Sequence, residues 1–344
     1  MSKHPELLDM DIGVVGAGSW GTALANLLAE KGYPIDLWVY EEEICGQIAD
    51  SRENRVFLPG IQLSENLHPS TDLADVVRNK GLVLIVVPSH VMRAVASRMA
   101  SELGPHALVV SASKGIENET QLTMTGVLKD VVGQLSEDRL AVLSGPSFAR
   151  EVAMGVPTVV TVAAKQETVA RQIQQVFATT LFRVYTNEDI IGVELGGAVK
   201  NVIAIAAGIV DGLGLGLNTR AALITRGQTE IRRLGLAMGA NPRTFTGLAG
   251  IGDLVLTCTG DLSRNHMVGH KIGQGQTLTQ VLADMRMVAE GVKTARSVHH
   301  LAKRLGVEMP IADAVYRVLH EDLSPKDALV QLMTRDLRHE LDEH

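Results

Sequence analysis

The sequence has few of the residues that mark several large classes of protein. Only two of its 344 residues are cysteine, and Cys45 and Cys258 lie far apart, which excludes a disulfide framework and favours a reducing cytoplasm. Aromatic residues make up 3%, and 39 acidic residues exceed 32 basic ones, so neither nucleic acid nor an anionic membrane is an expected partner. The 11 histidines show no metal-ligand spacing, so no metal is expected.

Long hydrophobic runs are also missing. The longest, at 82–87 and 202–210, fall far short of the roughly 20 residues that a membrane helix needs, so no membrane span is expected. Acidic residues among the first eleven positions argue against a secretion signal. We therefore expect a cytoplasmic enzyme or small-molecule binder, of a length that suits about two domains.

The two halves of the chain differ in hydrophobic pattern. In the first half, helical stretches alternate with short runs rich in β-branched residues, at 12–16, 35–39, 82–87, 107–111, 141–144, 158–162 and 181–185. Continuously apolar runs of this kind are typical of parallel strands covered on both faces. The second half has a helical pattern broken by glycine and proline. We predict a doubly wound, mainly parallel α/β sheet in residues 1–189, followed by an all-α C-terminal domain in residues 190–344.

A glycine-rich turn follows the first candidate strand. Gly16, Gly18 and Gly21 form a G-x-G-x-x-G pattern between a strand and a helix, which is the context in which this pattern binds a dinucleotide. The three glycines allow a tight turn, close approach of the backbone to a pyrophosphate, and helix–strand packing, and the helix amides then face the anion. The first domain is therefore predicted to be of the Rossmann type, with NADH or NADPH as cofactor.

The choice between the two cofactors depends on the end of the second candidate strand. Glu41 lies there, and an acidic side chain accepts a hydrogen bond from the ribose 2′-hydroxyl of NAD. The glutamate run could equally do no more than cap the next helix, and Arg52 and Arg55 could fold back towards a 2′-phosphate. The sequence leaves NAD and NADP as open alternatives.

Other polar residues lie where ligands bind in such sheets, at the carboxyl ends of strands. Lys114 follows one strand, although a lysine in a loop is more often simply exposed. Gly145 and Ser147 follow another, and their segment is not the G-x-S-x-G turn of a hydrolase.

The helical half contains charged residues in an apolar context. Lys200 lies in a helix that is apolar on nearly all sides, so it needs either a partner or a route to solvent. Asp253 could orient it. Ser263, Arg264 and Asn265 supply a hydroxyl, a guanidinium and an amide, a set that suits a phosphate, although a solvated turn is the alternative.

Taken together, these segments resemble the bacterial NAD(P)-dependent glycerol-3-phosphate dehydrogenases. The segments that carry the resemblance, over about residues 12–332, are 16–21 (GAGSWG), 54–59 (NRVFLP), 87–90 (VPSH), 113–115 (SKG), 144–149 (SGPSFA), 192–201 (GVELGGAVKN), 250–253 (GIGD), 263–265 (SRN) and 288–291 (VAEG). The resemblance implies reduction of dihydroxyacetone phosphate to sn-glycerol 3-phosphate, a precursor of glycerophospholipids. Tyr40 departs from the family, in which this position is often basic or imidazole, and this leaves NADP preference open.

The resemblance also implies roles for particular residues. Lys200 would transfer the proton. The cofactor would contact Gly16, Gly18, Ser19, Trp20, Gly21, Tyr40, Lys114, Ala149, Arg264, Val288 and Glu290. The substrate would contact Lys114, Gly145, Ser147, Lys200, Asp253, Ser263, Arg264 and Asn265.

Two other functions remain as alternatives. One is another two-domain dehydrogenase, of the 6-phosphogluconate or 3-hydroxyacyl-CoA type, and the other is a dinucleotide sensor without catalysis, which would leave Lys200 and Arg264 unexplained. The small residues at 202–209 could serve a core or the seam of a homodimer.

Overall fold

The computed structural model describes residues 10–285 and 289–340 and contains two compact units. Within the described residues, the first unit runs to Lys114 and again from Leu122 to Val193. The second unit comprises Gly115–Gln121 and the chain from Glu194 onwards.

The first unit is built on an eight-stranded sheet with the order β3-β2-β1-β4-β5-β6-β7-β8. The strands are β1 Ile12–Val15, β2 Ile35–Trp38, β3 Leu67–Ser70, β4 Leu82–Ile85, β5 Leu108–Ser111, β6 Leu140–Ser144, β7 Thr158–Ala164 and β8 Phe182–Asn187. All neighbours are parallel except β6 and β7, which are antiparallel. The predicted doubly wound, mainly parallel sheet is confirmed.

Helices cover both faces of this sheet, which explains the continuous apolar runs. In β4, Leu82 and Leu84 join the core on one face, and Val83 and Ile85 join the core on the other. The helices of the first unit are α1 Ser19–Lys31, α2 Glu42–Ser51, α3 Leu73–Val77, α4 Met92–Met99, α5 Met124–Val131, α6 Ala149–Ala153 and α7 Glu167–Phe177. Short 3₁₀ turns lie at Ser89–Val91 and Glu137–Arg139.

The described residues from 190 onwards contain helices and no strands, as predicted. The helices are α8 Ile190–Gly212, α9 Gly216–Ala237, α10 Asp253–Thr259, α11 Arg264–Gly273, α12 Leu278–Ala283, α13 Glu290–Leu305, α14 Pro310–His320 and α15 Pro325–Met333, with a 3₁₀ turn at Pro242–Thr246 and a π-turn at Leu248–Gly252.

Helix α8 forms the centre of the core of the second unit. It is long and apolar enough to cross a membrane by length and composition, but 89% of its most apolar window is buried inside the protein. Such burial is typical of a core helix. The small residues at 202–209 belong to this buried core, so their packing is explained without a dimer seam.

Two helical glycines of the first unit differ in the space around them and allow a matched test. A Cβ at Gly21 would lie 1.9 Å from the carbonyl oxygen of Gly16, whereas a Cβ at Gly46 would meet nothing within 4 Å. We expect Gly21→Ala to lower the free energy of unfolding by roughly 1–3 kcal/mol through overpacking. Gly46→Ala should instead raise it by up to about 1 kcal/mol, because alanine favours the helix. Urea denaturation measures both, and equal shifts would contradict this account of the packing.

Candidate active site

The glycine-rich turn has the geometry that was predicted from its sequence. Gly16 has a φ of 114°, and a Cβ there would lie 2.6 Å from the carbonyl oxygen of Val86, so only glycine fits. Gly18 is the N-cap residue of α1, where no side chain caps the helix, and a Cβ at this position would point into open space. The N-cap residue thus provides no side-chain acceptor to the start of α1, which suits a helix end that binds an anion.

The next two residues of this turn differ in their hydrogen bonding. Ser19 Oγ donates to the carbonyl oxygen of Phe57 at 2.6 Å, which ties the turn to the segment at 54–59. Trp20 Nε1 is buried and has no hydrogen-bond partner among the described residues. A buried donor without an acceptor, next to open space at Gly18, fits a site that a dinucleotide completes.

The end of β2 lies beside the glycine-rich turn, because Gly16 N donates to the carbonyl oxygen of Trp38 at 3.2 Å. Tyr40 is 72% exposed there and makes an edge contact with the ring of Trp38. Glu41 is the N-cap residue of α2, but its side chain makes no capping bond. The guanidinium of Arg52 donates to the carbonyl oxygens of Leu67 and Glu65.

The arginine that was a candidate for a 2′-phosphate is therefore held by backbone carbonyls. Arg55, the second candidate, pairs with Glu53 at 3.1 Å. The geometry at β2 is compatible with a ribose hydroxyl at Glu41 and leaves NAD and NADP as open alternatives.

The carboxyl ends of β5 and β6 bring three predicted residues together. Lys114 Nζ donates to the carbonyl oxygen of Gly145 at 3.3 Å, and Ser147 Oγ donates to the same oxygen at 3.0 Å. Gly145 has a φ of 142°, a backbone conformation that favours glycine. Ala149 begins α6, directly after this turn.

In the second unit, Lys200 on α8 forms a buried ion pair with Asp253 on α10. Their side chains are only 7% and 1% exposed. Lys200 Nζ also donates to Thr257 Oγ1 at 2.8 Å, and that hydroxyl donates to the carbonyl oxygen of Asp253 at 2.6 Å. Of the two alternatives for a lysine in an apolar helix, a partner or a route to solvent, the structure therefore shows a partner. The side chain of Lys200 is buried and does not extend to solvent. Asp253 was predicted, whereas Thr257 was missed, although its position one helical turn after Asp253 puts both on one face.

Ser263, Arg264 and Asn265 lie at the start of α11. Ser263 Oγ caps this helix by accepting from His266 N at 3.2 Å. Arg264 is accessible to solvent, but protein atoms surround much of its guanidinium. The resulting desolvation lowers the pKa of the guanidinium, and the nearby negative charge of Glu290 only partly opposes this shift. No hydrogen-bond partner of that guanidinium occurs within residues 10–285 and 289–340. An accessible guanidinium at the positive end of a helix suits a phosphate.

Asn265 has a bridging role that the sequence did not indicate. Its Nδ2 donates to Asn201 Oδ1 at 2.9 Å, and its Oδ1 accepts from Gly291 N at 3.0 Å. The amide thus connects α8, α11 and the start of α13, where Glu290 is the first residue.

The structure describes the predicted residues within two separate units, Lys114 in the first and Lys200 in the second. Val288, a predicted cofactor contact, lies outside the described residues. In the part of the chain that is described, no group of three or more histidine, cysteine, aspartate or glutamate side chains could hold a metal ion.

The first unit has a turn suited to a pyrophosphate, and the second has a buried lysine and a helix end suited to an anion. These features are typical of a dinucleotide-dependent dehydrogenase. Comparisons with known proteins identify which one. Residues 11–170 and 189–330 match the models described as the N-terminus and C-terminus of NAD-dependent glycerol-3-phosphate dehydrogenase. The chain belongs to this family, and the resemblance found in the sequence is confirmed.

Individual relatives agree with the family match. The chain is 57% identical, over 331 residues, to a glycerol-3-phosphate dehydrogenase [NAD(P)+] of Syntrophobacter fumaroxidans, covering 96% of this chain and 97% of the relative. It is 58% identical over 329 residues to the enzyme so named in Citrifermentans bemidjiense, covering 96% and 98%. The crystal structure of glycerol-3-phosphate dehydrogenase from Coxiella burnetii superimposes with a TM-score of 0.92 at 40% identity, covering 95% of this chain and all of that one.

Gly18 allows a direct test of the nucleotide site. A Cβ at Gly18 would meet no protein atom within 4 Å, and its φ of −65° is open to any residue. We expect Gly18→Ala to leave the melting temperature of the ligand-free protein unchanged while weakening NADH binding at least about tenfold, or 1.4 kcal/mol. Titration calorimetry with NADH measures the affinity. Unchanged NADH affinity would show that the nucleotide does not bind at this turn.

Proposed function

We propose that the protein catalyses the reversible, NAD(P)H-dependent reduction of dihydroxyacetone phosphate to sn-glycerol 3-phosphate. The observation that carries this proposal is the buried Lys200, whose amine is held by Asp253 and Thr257. The printed names of the relatives supply the substrate pair, and the open guanidinium of Arg264 supports a phosphorylated substrate.

The residues fall into two proposed sets, one for the cofactor and one for the substrate. The cofactor would be held by Gly16, Gly18, Ser19, Trp20, Gly21, Tyr40, Lys114, Ala149, Arg264, Val288 and Glu290. The substrate would be held by Lys114, Gly145, Ser147, Lys200, Asp253, Ser263, Arg264 and Asn265. The buried, unpartnered Nε1 of Trp20 and the open space at Gly18 support the first set.

A nicotinamide cofactor, when bound, would supply the hydride. Reduction of the ketone would then place negative charge on its carbonyl oxygen. Lys200 as an ammonium would stabilise that oxygen and donate a proton to it. In the reverse direction the neutral amine would accept the proton of the alcohol. Asp253 and Thr257 both contact Nζ, so they would fix the direction in which the amine points.

The phosphate of the substrate would bind at the start of α11. Arg264 would donate a charge-assisted pair of hydrogen bonds, and the helix dipole would add to the attraction. Lys114 would add a further positive charge to the field that attracts a doubly charged substrate.

We further propose that this reaction supplies glycerophospholipid synthesis in the cytoplasm. Membership of the family and the two unpaired cysteines support this setting.

Replacement of Lys200 tests the proton-transfer role. We expect Lys200→Met to lower turnover roughly 10²–10⁴-fold, the range in which a general acid acts, while NADH affinity is unchanged. The variant should also lose roughly 3–5 kcal/mol of stability, because Asp253 is left as an unpaired buried charge.

The double variant Lys200→Met/Asp253→Asn separates chemistry from stability. It should regain much of the melting temperature and remain inactive. Substantial turnover in either variant would remove Lys200 from the proposed role.

Replacement of Arg264 tests recognition of the phosphate. Charge-assisted hydrogen bonds contribute roughly 1.5–3 kcal/mol each, so the loss of a pair in Arg264→Ala should lower kcat/KM for dihydroxyacetone phosphate by at least about a hundredfold. At saturating cofactor, the activity on unphosphorylated dihydroxyacetone should hardly change. Arg243→Ala, at an exposed arginine of the same unit, is the matched control and should leave both substrates unaffected. Equal losses on both substrates in Arg264→Ala would show that Arg264 does not bind the phosphate.

A further inference from the structure

A second charged network lies in the helical unit, apart from the Lys200–Asp253 pair. Asp211, at the end of α8, accepts from Arg220 Nη1 of α9 and from His266 Nε2 of α11, both at 2.8 Å and both on Oδ2. The three side chains are 17–27% exposed. Burial opposes the charge of Asp211, but the bonds from His266 and Arg220 outweigh it and lower the pKa of the carboxyl.

Helices α8 and α11 meet backbone to backbone at this network. A Cβ at Gly208 would lie 2.0 Å from the carbonyl oxygen of His266, and a Cβ at Gly269 would lie 2.0 Å from that of Ile205. A Cβ at Gly212 would lie 2.3 Å from the carbonyl oxygen of His270, also on α11. Glycine allows this approach but provides no side chain to prevent rotation or sliding. The orientation of α11 on α8 therefore has to be fixed by other contacts.

Two adjacent residues of α11 provide such contacts. Asn265 bonds to Asn201, and His266 bonds to Asp211. At 1.5 Å per residue, the two partners on α8 are about 15 Å apart along the helix. A single contact would leave the first turn of α11 free to pivot, whereas two contacts to points this far apart on α8 fix its rotation.

We propose that Asp211 and His266 are positioning residues that hold the first turn of α11, and with it Arg264, in a fixed orientation relative to Lys200 on α8. Arg220 holds the carboxylate of Asp211 in place for His266. This inference rests on the proposed function, because Arg264 is the group whose orientation is being set.

The test uses His266→Leu, which removes the donor, and His266→Gln, which retains one. We expect His266→Leu to raise KM for dihydroxyacetone phosphate about tenfold, with kcat/KM for unphosphorylated dihydroxyacetone unchanged at saturating cofactor. His266→Gln should restore KM. His270→Leu is the matched control, since His270 lies one turn further along α11 and stacks on His266 without contacting Asp211, and it should match the unmodified protein.

Three outcomes would overturn the proposal: an unchanged KM, an equal loss on both substrates, or no recovery in His266→Gln. If His266→Leu does not fold, Asp211→Asn takes its place, with the same selective rise in KM expected. A failure of the proposed function is distinguishable, because then the unmodified protein would not reduce dihydroxyacetone phosphate. If Arg264→Ala loses the preference for the phosphorylated over the unphosphorylated substrate and His266→Leu keeps it, the positioning role of His266 is refuted. The proposed function would then still stand.

Discussion

The ion pair between Lys200 and Asp253 is the interaction on which the helical unit depends. Burial of two charges costs several kcal/mol for each ion, which only close pairing and further hydrogen bonds can offset. The pair therefore requires α8 and α10 to lie close together, with Thr257 as a third partner of the amine. An unpaired lysine in this apolar core would destabilise the fold, so the same contact serves both stability and the proposed chemistry.

Glycines make this close packing geometrically feasible. A Cβ at Gly196 would lie 2.3 Å from the carbonyl oxygen of Ala249, in the π-turn that leads into α10. A Cβ at Gly250 would lie 2.2 Å from the carbonyl oxygen of Phe245. The GGAVKN and GIGD segments of the sequence are thus two sides of one contact, which brings the carboxylate of Asp253 to the amine of Lys200. Glycine in these helices is explained by backbone contact and not by a need for flexibility.

Sequence patterns predicted seven of the eight strands, because burial on both faces of the sheet leaves continuous apolar runs. Strand β3 was missed, because Leu67–Ser70 is an edge strand that contains His68 and Pro69 and lacks such a run. Pro69 is tolerated there because an edge strand needs fewer ladder hydrogen bonds. The short segment Gly115–Gln121, which groups with the helical unit, likewise carries no compositional signal.

Local motifs identified most of the candidate site, whereas contacts between distant segments could not be predicted. Lys200 stood out as a cation in an apolar helix, and Arg264 as part of a triplet predicted to bind a phosphate. The bonds of Asn265 to Asn201 and of His266 to Asp211 join residues 64 and 55 positions apart, and no periodicity connects them. Such pairings follow from how the helices cross, which only the folded structure determines.

The most direct test of the central claim is the loss of reduced-nicotinamide absorbance when the unmodified protein is mixed with dihydroxyacetone phosphate, run in parallel with NADH and NADPH. The account predicts rapid loss with at least one of the two cofactors, formation of glycerol 3-phosphate, and recovery of the absorbance from glycerol 3-phosphate and the oxidised cofactor. Tight binding of both cofactors with no turnover of the phosphorylated ketone would contradict it and would indicate a nucleotide-binding protein without this activity.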